Sequence, residues 1–151
     1  MSGVRSLGLD VGSRRVGVAL SDPDGAVAVG HGVIELPTAD TAGADPAAVL
    51  DGAVTELVSE FDVDEIVVGL PLRTDGSEGP EATAVRHAAT RLGELTGLPV
   101  ALVDERFTTR IAHDAGRAAG ANGRRRRGTV DRAAATLILQ AHLDRRRGGV
   151  P

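Results

Sequence analysis

Residues 6–22 read SLGLDVGSRRVGVALSD, and two strands lie in them. Residues 6–12 (SLGLDVG) form an apolar strand that runs into a turn. In residues 15–21 (RVGVALS), Val16, Val18 and Leu20 fall on one face and Gly17 and Ala19 on the other, the period-two pattern of a strand. Gly12-Ser13-Arg14 between them fits a tight hairpin loop. Asp22-Pro23-Asp24-Gly25 is a strong turn signal, and residues 26–34 supply a third, weaker strand. The chain therefore opens with a three-stranded antiparallel meander.

Beyond the meander the rhythm of the chain changes. Residues 36–46 are a loop of small residues and prolines, after which Leu50, Ala53, Val54, Leu57, Val58 and Phe61 recur at helical spacing. Residues 65–70 (EIVVGL) are a continuous apolar run, as expected of a strand buried on both faces of a parallel sheet. After a loop at 71–80, residues 81–96 are helical through Val85, Ala88, Ala89, Leu92 and Leu95, and Gly97 is placed to end that helix. Residues 99–103 (PVALV) are a second buried strand. Thr108 or Thr109 caps a short helix to about Ala119, and residues 120–128 (GANGRRRRG) read as a mobile basic loop. Thr129 caps a last helix to about Arg146, with Ala134, Leu137, Ile138 and Ala141 inward. The reading is one α/β domain over residues 1–151. Its five-stranded mixed sheet has three antiparallel strands, then two parallel ones, flanked by helices.

Composition removes whole classes of chemistry. The 151 residues contain no Cys, which excludes disulfides, thiol nucleophiles and zinc fingers. All 17 basic residues are Arg, so a Walker A lysine and a Schiff-base lysine are excluded. With no Tyr or Trp and only two Phe, the chain lacks the aromatic platform on which RNA-recognition sheets and OB-folds stack bases. G-x-S-x-G is absent. No segment approaches the roughly 20 apolar residues of a membrane span, and no signal-peptide h-region precedes the first strand, so the expectation is a cytoplasmic protein with no membrane partner. Net charge is −4, but unevenly spread: residues 1–105 hold 6 Arg against 18 Asp and Glu, and residues 106–151 hold 11 Arg against 3 Asp. An acidic part suited to metals or solvent and a basic part suited to an anion are expected.

Three carboxylate positions stand out. Asp10 ends an apolar strand at the edge of the core, where ionisation is costly without a cation; alternatively it is a turn Asp bonded to nearby backbone. Asp104-Glu105 follows the second buried strand, where open α/β sheets place their ligands, and only one of the two should face a site there; alternatively the pair is a solvated strand end. Asp131 sits in the first turn of the last helix, where the helix dipole alone would accommodate it. A strand end, a neighbouring strand end and a helix start can converge in a layered fold. Such an oxygen-only donor set without Cys suits Mg²⁺ or Mn²⁺. Two such ions ~4 Å apart activate a water and stabilise the leaving oxygen in phosphodiester cleavage. Arg124–Arg127, with Arg106, match phosphate geometry. The histidines at 31, 87, 113 and 142 do not cluster in sequence and read as surface or satisfied residues.

Four ordered motifs then carry a resemblance across nearly the whole chain. Leu9-Asp10-Val11-Gly12-Ser13-Arg14-Arg15-Val16-Gly17-Val18-Ala19-Leu20-Ser21-Asp22, Val68-Gly69-Leu70-Pro71-Leu72 with Asp75-Gly76-Ser77, Asp104-Glu105-Arg106-Phe107-Thr108-Thr109, and Asp131-Arg132-Ala133-Ala134-Ala135-Thr136-Leu137-Ile138-Leu139 resemble the motifs of the YqgF/RuvX family. The resemblance implies an RNase H-like fold and a metal-dependent nuclease. Asp10, Glu105 and Asp131 would be its catalytic and metal-holding triad, and Arg14, Arg15, Arg106, Arg124, Arg125, Arg126 and Arg127 its contacts to nucleic acid. The substrate it implies is precursor 16S rRNA at the 5′ end, or four-way branched DNA under an older description. A monomer or a homodimer is compatible with it. Arg73 stands where Asn is common in the family, and Phe107 where Leu is. Two other classes share parts of the pattern: a phosphotransferase of the actin/sugar-kinase kind, which needs two such domains, and a non-catalytic nucleic-acid-binding module.

Overall fold

The computed structural model describes residues 3–38, 43–105 and 123–148, with the side chains of residues 123–131 outside the description. Five strands make one sheet: β1 (Ser6–Val11), β2 (Arg15–Ser21), β3 (Ala28–Glu35), β4 (Glu65–Leu70) and β5 (Val100–Asp104). Among the described residues three helices flank it: α1 (Pro46–Glu60), α2 (Pro80–Thr96) and α3 (Gly123–Gly148). The spatial order is β3-β2-β1-β4-β5. The meander pairs antiparallel, β1 with β2 and β2 with β3, and β4 and β5 add in parallel beyond β1. β1 is thus the central strand, and the expected mixed sheet is present.

The alternation in each strand sorts the core into two layers. Leu7, Leu9, Val16, Val18, Ile66, Val68 and Leu70 point to the face covered by α1 and α2, where Leu50, Val54, Val85 and Leu92 meet them. Ala19, Ala28, Val67 and Val103 point to the other face, under Ala135, Ile138, Leu139 and Leu143 of α3. The helix starts are legible in local chemistry: Asp45 accepts from the Ala47 N–H at 3.1 Å with Pro46 following it, and Gly97 closes α2 at φ 72°. Arg91 of α2 holds Asp51 of α1 at 2.8 Å, tying the two helices together.

The last helix differs from expectation in two respects. It begins at Gly123, so residues 123–128, expected as loop, are helical. Arg is a strong helix former, and within the run only Gly128 carries a sizeable intrinsic cost, ~1 kcal/mol. Its buried stripe is also turned. Ala134 and Ile138 are buried as expected, but Ala135, Leu139 and Leu143 complete the stripe while Leu137 and Ala141 are half-buried. The sheet beneath explains the turn, because Gly8 offers α3 a shallow seat: a β-carbon there would stand 2.8 Å from Leu139 Cβ and 3.3 Å from the Ala135 carbonyl oxygen. The expected helix at 108–119, residues 120–122 and the Arg106, Phe107 and His113 positions lie outside the described residues.

Candidate active site

Parallel strands β1, β4 and β5 end together, and the residues at their ends share one rim. Asp10 is the penultimate residue of β1 and half-buried. Its neighbours Leu9 and Val11 face α1 and α2, so alternation turns Asp10 to the α3 face. One step past the Leu9–Val68 pair, Asp10 stands beside Gly69 of β4. On the other side of Gly69, Val103 is its partner on β5 and also faces α3. Glu105, two residues later, shares that face, and its N–H donates to the Leu70 carbonyl at 3.3 Å. Of the two adjacent acids, Glu105 is therefore the one turned toward Asp10, and Asp104 is exposed.

Asp10 and Glu105 share a hydrogen bond, and the pair is electrostatically strained. Burial pushes the Glu105 carboxyl up from 4.5 to about 8, the Asp10 charge and the hydrogen bond that Glu105 donates to Asp10 push the same way, and Asp104 adds to them. One proton is therefore held between two carboxylates at neutral pH. A cation in its place would relieve both the burial cost and the repulsion, so the pair is chemically fitted to a divalent metal ion.

The third acid expected here is on α3. Gly8 lies under Ala135 and Leu139, and Gly69 under Ile138, while His142, a turn later, reaches Glu65 at the start of β4. The helix thus runs opposite to β1 and β4. Two residues along a strand advance about 6.8 Å, and one helical turn about 5.4 Å. Stepping from Gly8 to Asp10 and from Ala135 back to Asp131 accordingly brings both backbones to the same level. The Asp131 side chain lies outside the described residues, as do those of Arg124–Arg127; no group of three or more potential metal-binding side chains is found among the residues described.

Two loops frame the rim. Arg14 is exposed in the β1–β2 hairpin, immediately beyond Asp10, and Arg15 begins β2 half-buried. After β4, residues 71–79 fold back on themselves through the Leu72–Glu78 bridge, with a turn closed by Gly76 N–H on the Arg73 carbonyl at 2.8 Å. Asp75 accepts from the Ser77 hydroxyl at 2.6 Å, and Glu78 grips Arg86 of α2 at 2.7 Å. Arg73 is exposed on this loop.

The sheet carries a second polar cluster at its opposite end, which sequence reasoning missed. Glu65 is nearly buried and accepts from the Ser6 hydroxyl at 2.9 Å; His142 Nε2 lies 3.3 Å away and Arg146 pairs with the same carboxylate. Ser6 N–H in turn donates to Ser21 Oγ at 2.8 Å. The cluster pins the C-terminal half of α3. A Glu opening an otherwise apolar strand was its one visible signal.

A five-stranded sheet in this order, with Asp10 and Glu105 meeting at the end of its central strand, has the RNase H-like fold. Known proteins bear this out. Thermus thermophilus RuvC, in a structure with Holliday junction substrate, superposes at TM-score 0.64 over 96% of this chain and 97% of that one, at 16% identity. Among sequences, a Moorella thermoacetica protein is 46% identical over 94% of this chain and 96% of its own length, and a Streptomyces coelicolor protein is 41% identical over 95% and 81%. Both bear the name "Putative pre-16S rRNA nuclease". Residues 4–145 match the family described as RuvX: Holliday junction resolvase. The chain belongs to the RuvX family. It is a nuclease, hydrolysing phosphodiester bonds.

Proposed function

We propose that this protein is a divalent-metal nuclease that matures the 5′ end of precursor 16S rRNA, with Asp10, Glu105 and Asp131 holding Mg²⁺ or Mn²⁺. The observation that carries the metal reading is the Asp10–Glu105 pair, two carboxylates hydrogen-bonded to each other in a partly buried site. The RNA substrate is supported by relatives above 40% identity that match nearly the full chain and bear the pre-16S rRNA name. Bound divalent ions supply an activated water and charge stabilisation at the leaving oxygen.

The chain's own residues divide the remaining work. Asp10, on the rigid central strand, fixes the point from which the cation site is built. For the pair to hold a cation, both carboxylates would be ionised, and Glu105 would release its proton to solvent. Asp131 approaches from α3 at the same level. Arg14, Arg15, Arg106 and Arg124–Arg127 hold the phosphate backbone. Lacking Tyr and Trp, the protein recognises backbone and shape rather than stacked bases. No described helix is long and apolar enough to cross a membrane, and an enzyme acting on precursor rRNA works in the cytoplasm.

The test is a cleavage assay on a precursor 16S rRNA 5′ fragment and a four-way DNA junction, in Mg²⁺ and in Mn²⁺, with Asp10→Asn as control. Cleavage of the RNA, abolished in a folded Asp10→Asn protein, is expected. Paired symmetric nicks in the junction alone would replace the RNA reading with a dimeric resolvase.

A further inference from the structure

Gly69 stands where three elements of the site meet. It lies beside Asp10 of β1, under α3, and one strand position from the residue preceding Glu105. A β-carbon at Gly69 would stand 2.5 Å from Glu105 Oε2 and 2.5 Å from Ile138 Cδ1. Both atoms would have to retreat by about 1 Å to reach ordinary van der Waals contact. Gly8 shows the contrast: the three atoms nearest a β-carbon there all belong to Leu139 and Ala135 of α3. Gly69 is also not among the glycines at positive φ, so its backbone would accept alanine without strain. What it uniquely provides is space.

We infer that Gly69 is a positioning residue of the nuclease site: its missing side chain is the space that the Glu105 carboxylate occupies to reach Asp10, under a helix seated on the same atom. The inference rests on Asp10 and Glu105 being the cation-holding pair. Any larger residue at 69 moves Glu105 off Asp10 while leaving both acids in the chain.

Gly69→Ala alone would also push α3 outward, so the test removes that half of the clash first. In an Ile138→Ala background the contacts with Ile138 Cγ1 and Cδ1 no longer exist, and of the three nearest atoms only Glu105 Oε2 remains. Mn²⁺ binding is measured by calorimetry, thermal unfolding without metal by circular dichroism, and cleavage on the RNA fragment. Against Ile138→Ala, the Gly69→Ala/Ile138→Ala protein is expected to unfold at a similar temperature. It should bind Mn²⁺ at least about tenfold more weakly and lose about 100-fold in kcat, with KM little changed, as a 1 Å misplacement implies. In a Glu105→Asp/Ile138→Ala background, where the carboxylate ends one bond sooner, adding Gly69→Ala should cost less than about threefold in Mn²⁺ affinity, the signature of direct coupling. Equal Mn²⁺ affinity and kcat with and without Gly69→Ala would overturn the inference, as would the same loss whether position 105 carries its native Glu or the shortened Glu105→Asp side chain. A wild-type protein whose Mn²⁺ binding survives Asp10→Asn would instead overturn the cation reading itself.

Discussion

Replacing Glu105 with Gln should make the metal-free protein more stable, and increasingly so as pH rises. Gln keeps the shape and can still donate to Asp10, but it cannot ionise. In the wild type the Glu105 carboxyl is pushed from 4.5 to about 8, by burial first and by Asp10 second. Between those values the folded state binds a proton that the unfolded chain has released. Stability therefore falls as pH rises through the window and levels off above about 8. Each pKa unit corresponds to about 1.4 kcal/mol. Taken whole, the gap would approach ~5 kcal/mol, and solvent relaxation at a rim that is not sealed reduces that to about 2–3 kcal/mol. For a chain of this length that is a melting-point difference of ~4–12 °C. The assay is thermal unfolding of both proteins in EDTA from about pH 4.5 to about pH 9, which brackets the window. The Glu105→Gln advantage should be near zero at the acid end and largest at the alkaline end, and Mn²⁺ should narrow it by stabilising only the wild type. A constant difference across the whole range would refute the reasoning, since it would mean that Glu105 does not hold its proton against Asp10.

Two further perturbations test other parts of the molecule. Changing Arg124–Arg127 to Gln should weaken RNA binding and lower its salt slope. Four successive residues of a helix cannot all face one surface. The expected loss of slope is therefore that of about two phosphate contacts, ~1.4 on a single strand, rather than four; an unchanged slope in filter-binding titrations would remove the run from the interface. At the other end of α3, burial and then the Arg145 charge hold His142 below its ordinary value. The unfolded chain takes up a proton there before the folded one does, so stability is lost as pH falls through about 6.5. His142→Gln should flatten that acid-side loss in the same unfolding series, and an unaltered profile would mean that His142 does not titrate between the two states.

How much of the molecule is readable from its sequence depends on what each residue type reveals. The meander, both parallel strands and α1 and α2 follow from periodicity and turn residues, because those signals are local. Asp10 is visible because a carboxylate at the end of Leu7–Leu9 has few local explanations. The choice between Asp104 and Glu105 is not readable from spacing; it requires the register of β5 on β4, which sets Val103 and Glu105 on the α3 face. The start of α3 is misplaced by sequence reading because glycines on both sides of an Arg run look like loop, whereas the Arg residues favour helix. Gly8 and Gly69 interrupt apolar strands, a known sign of close approach by another backbone. Nothing in the sequence says which element approaches, since Ile138 and Leu139 lie some 70 and 130 positions away.

That distance along the chain bears on how the site is held. Asp10, Glu105 and α3 come from the beginning, the later part and the end of the sequence, so no local segment can assemble them. β1 and β5 belong to one hydrogen-bonded sheet, joined through β4, and keep Asp10 and Glu105 in register. α3 has no such ladder: its place depends on Ala135, Ile138, Leu139 and Leu143 packing on the sheet, on the Gln140 amide bonded to the Ala28 N–H and the Ala26 carbonyl, and on Glu65 anchoring His142 and Arg146 at the far end. A helix held by side chains alone opens at lower free energy than a central strand. The sheet that carries Asp10 and Glu105 is therefore the rigid part, and α3 the releasable one. If α3 contributes Asp131 as proposed, loosening the Glu65 cluster at the other end of the sheet should weaken Mn²⁺ binding before it unfolds the sheet.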